Sequence, residues 1–202
     1  MLIRLLRAPA TWAVALCLAV VAGAALYWFQ PWKLVTDREV NDELAAVPAP
    51  MTSAMPMDSA MPMNSAMPMT SAMASASEPA PPSGPSVVRQ GTFISHEHAT
   101  EGTARVVRHP DGSHTLELVG LDTSDGPDLR VWLSDQPVRP GTEGWYVFDD
   151  GDRVELGALK GNRGDQTYAI PAGTDLDALD SVAIWCIRFS VSFGAAALTP
   201  AG

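Results

Sequence analysis

The sequence has few cysteines: only Cys17 and Cys186 occur among its 202 residues. Cysteines of exported domains usually pair, and a small domain stapled by disulfides would carry more of them. Cys17 lies in an uncharged stretch near the N-terminus, and a long segment separates it from Cys186. The sequence therefore excludes a disulfide scaffold and leaves Cys186 as a lone thiol.

The sequence also lacks the motifs of common enzymes. It contains no phosphate-binding glycine loop, no Gly-x-Ser-x-Gly elbow and no His-Glu-x-x-His helix. Residues 87–198 carry nine basic and seventeen acidic side chains, a surplus of negative charge that opposes binding to nucleic acid. Common hydrolase chemistry and nucleic-acid binding are therefore unsupported, and the sequence leaves open whether the protein is an enzyme.

Charge is absent from residues 8–32, a run of 25 residues. A helix that crosses the ~30 Å hydrocarbon layer needs ~20 apolar residues, so this run is long enough. Arg4 and Arg7 precede it, and because cationic flanks favour the cytoplasm, they predict a cytoplasmic N-terminus and an extracytoplasmic remainder. Residues 1–33 are thus predicted to be a transmembrane signal anchor in the lipid bilayer of the cell membrane. A cleaved signal peptide ending near Ala22-Gly23-Ala24 is the alternative.

Residues 34–86 are predicted to form a disordered stalk, because most of them are Ala, Pro, Ser and Met with few aromatic or β-branched side chains. A six-residue repeat runs through it as SAMPMD (53–58), SAMPMN (59–64) and SAMPMT (65–70). A proline in every unit excludes an α-helix, and the unit is too short to bury a core. The composition is typical of a flexible or polyproline-like spacer that holds a domain clear of a membrane.

The repeat also places methionines close together. Thioethers are soft ligands that suit Cu(I), so the repeat gives rise to a copper-binding hypothesis. In the alternative interpretation the methionines are plain spacer residues of a repeat. The candidate copper ligands are Met55, Met57, Met61, Met63, Met67 and Met69.

Beyond residue 87 the sequence turns to short alternating runs separated by Gly, Asp, Asn and Pro. No segment has a long helical period, and strands at this spacing are typical of an antiparallel β-sandwich or barrel. We therefore predict an all-β domain over residues 87–199, behind the transmembrane helix and the disordered linker. The candidate strands are 91–95, 103–109, 114–120, 128–134, 145–148, 153–160, 166–171 and 182–193.

The last candidate strand contains Cys186. If residues 182–193 form one strand, Trp185, Ile187 and Phe189 share a core face, whereas Cys186 and Arg188 share the other. Arg188 would then lie ~6.6–7 Å along the strand and favour the thiolate, the form that binds metals and does redox chemistry. A buried core thiol and an intermolecular disulfide are the alternatives.

Two pairs of histidines are close in sequence. His96 and His98 would share a strand face and could chelate a metal, and His109 and His114 flank a turn. In the alternative interpretation both pairs are hydrated surface, because neither brings a third ligand nearby in sequence.

Four stretches together resemble the DM-13 domain, also called the electron-transfer DM domain: HATEGTARVVRHPDGSHTLEL, GPDLRVWLS, LGALKGNRGDQTYAIP and VAIWCIRFSVSFGAAAL. The resemblance runs from about residue 89 to residue 198. Its most specific pieces are Gly126-Pro127-Asp128-Leu129, Leu159-Lys160-Gly161 and Trp185-Cys186. Leu179 departs from the family pattern, which has an aromatic residue there.

The resemblance implies that Cys186 works in redox chemistry, either as a bare thiol or as the ligand of a prosthetic group such as haem. It also implies that His98, which falls where the family often has a histidine, is the candidate second ligand. In animals the domain accompanies haem-binding and cytochrome-type modules, from which its electron-transfer label comes.

Together these observations predict an extracytoplasmic, membrane-anchored redox or electron-transfer module with an unidentified redox partner. A non-catalytic surface domain that binds a ligand or partner is the alternative, and copper handling through the methionine repeat is a further hypothesis. A composition rich in Ala, Gly and Pro with few lysines is compatible with a bacterial source.

Overall fold

The computed structural model of the chain describes residues 9–47 and 84–201. Within these ranges it contains one α-helix, two short 3₁₀ helices and ten β-strands. The elements are α1 (Pro9–Phe29), a 3₁₀ helix (Pro31–Val35), β1 (Glu39–Asn41), β2 (Ser86–Ser95), β3 (Glu101–Arg108), β4 (His114–Asp122), β5 (Leu129–Ser134), a second 3₁₀ helix (Thr142–Gly144), β6 (Arg153–Ala158), β7 (Arg163–Ile170), β8 (Ser181–Cys186), β9 (Val191–Ala197) and β10 (Thr199–Pro200).

Helix α1 is the apolar helix that the sequence predicts. The stretch Trp12–Lys33 has the length and hydropathy of a membrane-crossing helix, and none of it is buried inside the protein. A core helix of a soluble protein would be mostly buried, so α1 is not a core helix. A signal sequence near an N-terminus has the same properties, and the orientation of the helix stays a prediction.

The strands form one curled, mixed sheet that makes a half-barrel. Its order is β1-β7-β4-β3-β2-β9-β8-β5-β6, with β10 paired to β2 outside this path. The pairing of β1 with β7 is parallel, and the other pairings are antiparallel. Strand β6 also contacts β7, so the two edges of the sheet curl toward each other. The predicted all-β fold is confirmed.

The buried apolar side chains of the described residues form two clusters, which β8 separates. Because side chains alternate along a strand, Ile184 and Cys186 belong to the larger cluster, and Ala183 and Trp185 belong to the smaller one. Every residue of β8 is buried. A strand covered on both faces carries no alternation of polar and apolar residues, which is why this part of the sequence is a continuous apolar run.

The candidate strand at 145–148 was wrong. These residues follow the 3₁₀ helix Thr142–Gly144 and lie in the connection between β5 and β6. Phe148 is nevertheless fully buried, with its ring centroid 6.4 Å from that of Trp185. The apolar residues at 145–148 therefore indicate packing against the smaller cluster and not a strand of the sheet.

The candidate strand at 182–193 is a hairpin of two strands. Strand β8 ends at Cys186, residues 187–190 form a turn, and β9 begins at Val191. The single-strand assignment of faces was therefore wrong beyond Cys186. Ile187 and Phe189, which it placed in the core, are 41% and 43% exposed.

Residues 36–47 lie along the edge of the sheet, although they were predicted as the beginning of the stalk. Strand β1 places Val40 opposite Gly164 on β7. The backbone N–H of Arg38 donates to Oδ1 of Asn162 at 2.7 Å. Residues 48–83, with the six methionines of the copper hypothesis, lie outside the described residues.

Candidate functional site

Cys186 is the last residue of β8 and lies in the larger apolar cluster. It sits opposite Leu129 on β5 and Val191 on β9, and its exposed fraction is 0%. Leu129, Val191 and Phe193 belong to the same cluster. The thiol is thus a core group that immediately precedes the 187–190 turn.

Two opposing effects act on the proton of the thiol. Burial, the larger effect, raises the pKa of Cys186, because charge is unfavourable in an apolar core. Backbone N–H groups of Phe189, Arg188 and Asp128 act in the opposite direction, because they donate hydrogen bonds to the sulfur, and the Asp128 charge raises the pKa further. Since the net pKa is raised, the neutral thiol dominates at pH 7.

The predicted electrostatic support of the Cys186 thiolate by the Arg188 side chain was wrong. Arg188 lies in the turn, and its guanidinium carbon is 5.2 Å from the centroid of the Trp28 ring in α1. Its Nη1 donates to the backbone carbonyl of Tyr27 at 3.4 Å and also to that of Trp28. The strand ends at Cys186, so the two side chains are not neighbours on one strand face.

His98 lines a cavity of about 290 Å³ between the end of α1 and the domain. Its Nε2 lies 2.8 Å from Oε2 of Glu97, and its ring centroid is 4.0 Å from that of Phe193. Cys186 does not line this cavity, so the structure does not bring the two candidate ligands to one site. Phe193 both lines the cavity and belongs to the apolar cluster of Cys186.

The two neighbouring histidines do not form the chelating pair that the sequence allowed. His96 is buried, with Nδ1 2.8 Å from Oγ of Ser192 and Nε2 3.0 Å from the carbonyl of Arg139. Burial lowers the pKa of His96, and its two ring nitrogens already have protein partners. In residues 9–47 and 84–201 no group of three or more His, Cys, Asp or Glu side chains could hold a metal ion.

Haem does not fit Cys186 in this structure. An iron-ligating thiolate needs an open face toward the metal, whereas Cys186 is fully buried. It lines neither the 290 Å³ cavity nor a second cavity of about 170 Å³ beside it. The smaller volume lies below the ~300–1,000 Å³ that ligand pockets usually enclose, and the larger one is at the lower limit of that range.

The two motif loops, 126–129 and 159–161, meet where the chain arrives from α1. The N–H of Leu159 donates to the carbonyl of Leu129 at 2.9 Å. Lys33 reaches the same place: its Nζ donates to the carbonyl of Gly126 at 2.9 Å and lies 3.8 Å from Asp125. The sequence could not reveal this arrangement, because the contact between residues 33 and 126 has no local pattern.

A buried amide and phenol stabilise the 159–161 loop. Oε1 of Gln166 accepts hydrogen bonds from the N–H of Lys160 at 3.1 Å and from the hydroxyl of Tyr168 at 2.8 Å, and its Nε2 donates to the carbonyl of Gly161 at 2.7 Å. Burial raises the pKa of Tyr168 to about 12, so the phenol keeps its proton at neutral pH. This network fixes a loop and is unsuited to acid–base chemistry near pH 7.

A family model described as Electron transfer DM13 matches residues 92–198. The match includes Cys186, His98 and both motif loops, and it confirms the resemblance seen in the sequence. Comparisons with curated proteins and with solved structures found no match. Membership of the family suggests an electron-transfer or redox module. The matched region is more than half of the chain, and the protein therefore belongs to the electron transfer DM13 family.

Proposed function

We propose that the protein is an extracytoplasmic, membrane-anchored redox module in which Cys186 is a thiol covered by the 187–190 turn. The observation that carries this proposal is the place of Cys186, directly before an exposed turn in an electron transfer DM13 domain. Local segments open at a lower free energy than the whole fold, so opening the turn would reach the sulfur without unfolding the sheet. Arg4 and Arg7 before the helix support the orientation.

The turn has the features of a segment that opens. Ser190 has a φ of +49°, a left-handed conformation that is uncommon for residues other than glycine. Ile187 and Phe189 are exposed, and neither belongs to the two apolar clusters. The N–H of Ile187 is held by the carbonyl of Asp128 at 3.0 Å. This turn therefore has less buried apolar surface to stabilise it than the strands have.

Opening the turn would activate the thiol for exchange with a disulfide. Water then reaches Cys186, and the burial that raises its pKa is lost. The thiolate attacks a disulfide of an extracytoplasmic partner, so a bond forms from Cys186 Sγ to one partner sulfur while the partner's S–S bond breaks. The leaving thiolate takes up the proton that Cys186 released. A thiol of a second partner then attacks the first partner's sulfur in the mixed disulfide, so a disulfide forms between the two partners while the bond to Cys186 Sγ breaks, and the proton of that thiol returns Cys186 to the thiol form.

The test is exchange with oxidised glutathione, in the full chain held in lipid nanodiscs. A Cys17→Ala background leaves Cys186 as the only thiol. We expect a glutathione adduct on Cys186 by mass spectrometry, and about five- to seventyfold faster formation in Phe189→Gly, since glycine loosens an ordered segment by about 0.5–1 kcal/mol and the lost stack on Phe29 adds about 0.5–1.5 kcal/mol. The matched control is Ala172→Gly in the exposed 171–174 turn, which should leave the rate unchanged. Absence of an adduct in both the parent chain and Phe189→Gly would contradict the proposal.

A non-catalytic surface module is the second candidate, and the complete burial of Cys186 with its raised pKa favours it. In that case the cysteine is a small apolar core residue. The glutathione adduct would then form only at denaturant concentrations that unfold the domain, and Cys186→Ala would affect stability alone.

Copper handling by the methionine repeat stays a separate proposal. It is supported by the soft thioether ligands of residues 55–69 and by the closeness of the two residues that flank 48–83, Ala46 and Pro85, to one another. Ala46 and Pro85 line one cavity of about 350 Å³ together with His109. The residues just before and just after 48–83 therefore lie close together at one place on the domain. A peptide of residues 51–73 should bind Cu(I) in competition with a weak chelator, and the same peptide with leucine in place of methionine should not.

A further inference from the structure

The 187–190 turn presents apolar side chains beside the end of α1. Ile187 and Phe189 remain 41% and 43% exposed with the helix in place. The Phe189 ring stacks on Phe29, with centroids 6.2 Å apart and planes at 16°. A turn that faced water would carry polar residues, but only Arg188 and Ser190 here are polar.

The contacts of Arg188 show which part of α1 the turn lies beside. Its contacts with the carbonyls of Tyr27 and Trp28 and with the Trp28 ring place the turn beside the last helical residues. These residues are large and exposed aromatics, as is Trp32 just beyond them. Aromatic rings of this kind concentrate at the boundary between hydrocarbon and headgroups.

The length of α1 independently places its C-terminal end at the boundary between hydrocarbon and headgroups. The 21 residues that the structure describes, at about 1.5 Å each, span about 30 Å, the thickness of the hydrocarbon layer, and the charged Arg7 lies just before them in the sequence. If α1 crosses the bilayer, Phe29 therefore lies at one hydrocarbon boundary. The turn that stacks on Phe29 must then lie within the headgroup region and not in bulk water.

The charges around the turn allow it to approach a bilayer. Asp125 is neutralised by Lys33 at 3.8 Å, and Asp128 is held by Arg130 at 2.8 Å. Glu97 lies against His98 at 2.8 Å. Two of the acidic side chains at this end, Asp125 and Asp128, therefore have cationic partners, and the exposed apolar residues with Arg188 decide what the turn binds.

We propose that the 187–190 turn is a membrane-docking element, which inserts into the interface of the bilayer that α1 crosses. The proposal rests on the anchoring in the proposed function. Ile187 and Phe189 enter the acyl boundary, while the guanidinium of Arg188 stays among headgroup phosphates, as amphipathic side chains do at interfaces. The domain then lies on the membrane surface and not at the end of a stalk. Lipid covers the turn above Cys186, so a redox partner acts on this thiol at the membrane surface.

Photocrosslinking to lipid in the full chain in phosphatidylcholine nanodiscs tests this proposal. A p-benzoylphenylalanine is placed singly at Leu18 in the helix, at Phe189, or at Ala172 in the 171–174 turn. The sheet register puts the 171–174 turn at the opposite end of the strands, since Ile170 pairs with His114 and Arg108 pairs with Ser86. We expect lipid adducts at positions 18 and 189, with a yield at 189 about tenfold above that at 172, because an interfacial side chain sinks ~5–10 Å into the headgroup boundary. Ile187 serves as a second site in case substitution at Phe189 disturbs the stacking on Phe29.

The outcomes separate docking from anchoring. Lipid adducts at position 18 without adducts at 187 or 189 would overturn the docking proposal and leave the anchor in place. Crosslinks from 189 to the protein's own helix without lipid would have the same meaning. Absence of adducts at position 18 would overturn the anchoring itself, and docking with it.

Discussion

Two of the contacts that the chain leaving α1 makes with the domain are built differently. At the end of the helix the contact is an exposed apolar stack of Phe29 on Phe189 beside Arg188. At the edge of the sheet the contact is polar and centres on the buried side chain of Asn162: its Oδ1 accepts a hydrogen bond from the N–H of Arg38, and its Nδ2 donates to Oδ1 of Asp37 at 2.9 Å and to the carbonyl of Thr123 at 2.8 Å. The edge contact is complete within the protein, whereas the helix-end contact leaves apolar surface that lipid can cover.

This difference assigns different roles to the two contacts. Buried polar groups that lose a partner destabilise a fold by about 1–3 kcal/mol each, so the edge contact should dominate stability. An exposed ring stack contributes less, about 0.5–1.5 kcal/mol beyond its buried area. The edge contact should therefore hold the domain to the chain with or without a membrane.

The largest expected effect on stability is that of Gly164→Ala, which disrupts the edge contact. Gly164 has a φ of +92°, and a Cβ on it would lie 2.0 Å from the carbonyl oxygen of Val40 in β1. We expect a loss of about 3 kcal/mol in the free energy of unfolding, because backbone strain adds to the displacement of β1. Urea unfolding of the full chain in nanodiscs measures it.

The matched control for that variant is Gly112→Ala. Gly112 has a similar φ of +83° but nothing within 4 Å of the added Cβ. Its cost should be the backbone strain alone, about 1–2 kcal/mol. Equal losses for the two variants would show that the approach of β1 to Gly164 adds no stability.

A smaller effect is expected from Asn162→Ala. Asn162 is buried, and its removal leaves the N–H of Arg38 and the carbonyl of Thr123 without this partner. We expect a loss of about 2 kcal/mol, together with faster hydrogen exchange of residues 38–45. Asn41→Ala, an amide on the exposed surface of β1, is the control and should cost less than about 0.5 kcal/mol. If the two losses are alike, the buried amide does not fix the edge contact.

The smallest effect is that of pH, which acts on the edge contact and on the buried residues around β9 in different ranges. The hydrogen bond from Lys160 lowers the pKa of Asp42 below 3.8, so the stability that Asp42 adds at the edge is present above pH 3.8 and is lost as the pH falls further. Burial lowers the pKa of His96, which bonds Ser192 near the turn, so its contribution is present above pH 6.5 and is lost as the pH falls below that value. Urea midpoints between pH 8 and pH 3 should therefore fall in two steps.

Two variants assign these steps. Asp42→Asn should remove the step at lower pH and leave the other unchanged. His96→Gln should do the reverse. The step from Asp42 should be slight, because that carboxylate is screened by solvent. Steps that persist in both variants would place the pH dependence in other groups.

The all-β fold could be predicted from the sequence, but the hairpin at Cys186 could not. Residues 187–190 contain no Gly, Pro, Asn or Asp, the usual signals of a turn, and the reversal instead uses Ser190 at a φ of +49°. Both flanking strands are buried on both faces, so no change of period marks their ends. For these reasons the sequence predicted one long strand, and it placed Arg188 on the same strand face as Cys186, which was wrong.

Sequence analysis proposed Cys186 as the candidate residue, but its surroundings could not be predicted. The resemblance identified Cys186, and sequence reasoning kept open the buried thiol that the structure shows. The docking of residues 36–47 escaped prediction, because β1 has three residues and is held by Asn162 and Gly164, more than 120 positions away. Contacts of this range are set by the folded sheet and leave no periodic signal in a short segment.

The most direct test of the central claim, a thiol that local opening of the turn exposes, is the rate of alkylation of Cys186 against urea concentration. The full chain with Cys17→Ala in nanodiscs is treated with excess maleimide, and the modified fraction is followed by mass spectrometry. We expect a measurable rate that is almost independent of urea below the unfolding transition, because local opening exposes little surface. A rate that rises from the lowest urea concentrations with the slope of global unfolding would contradict it and would make Cys186 a core residue.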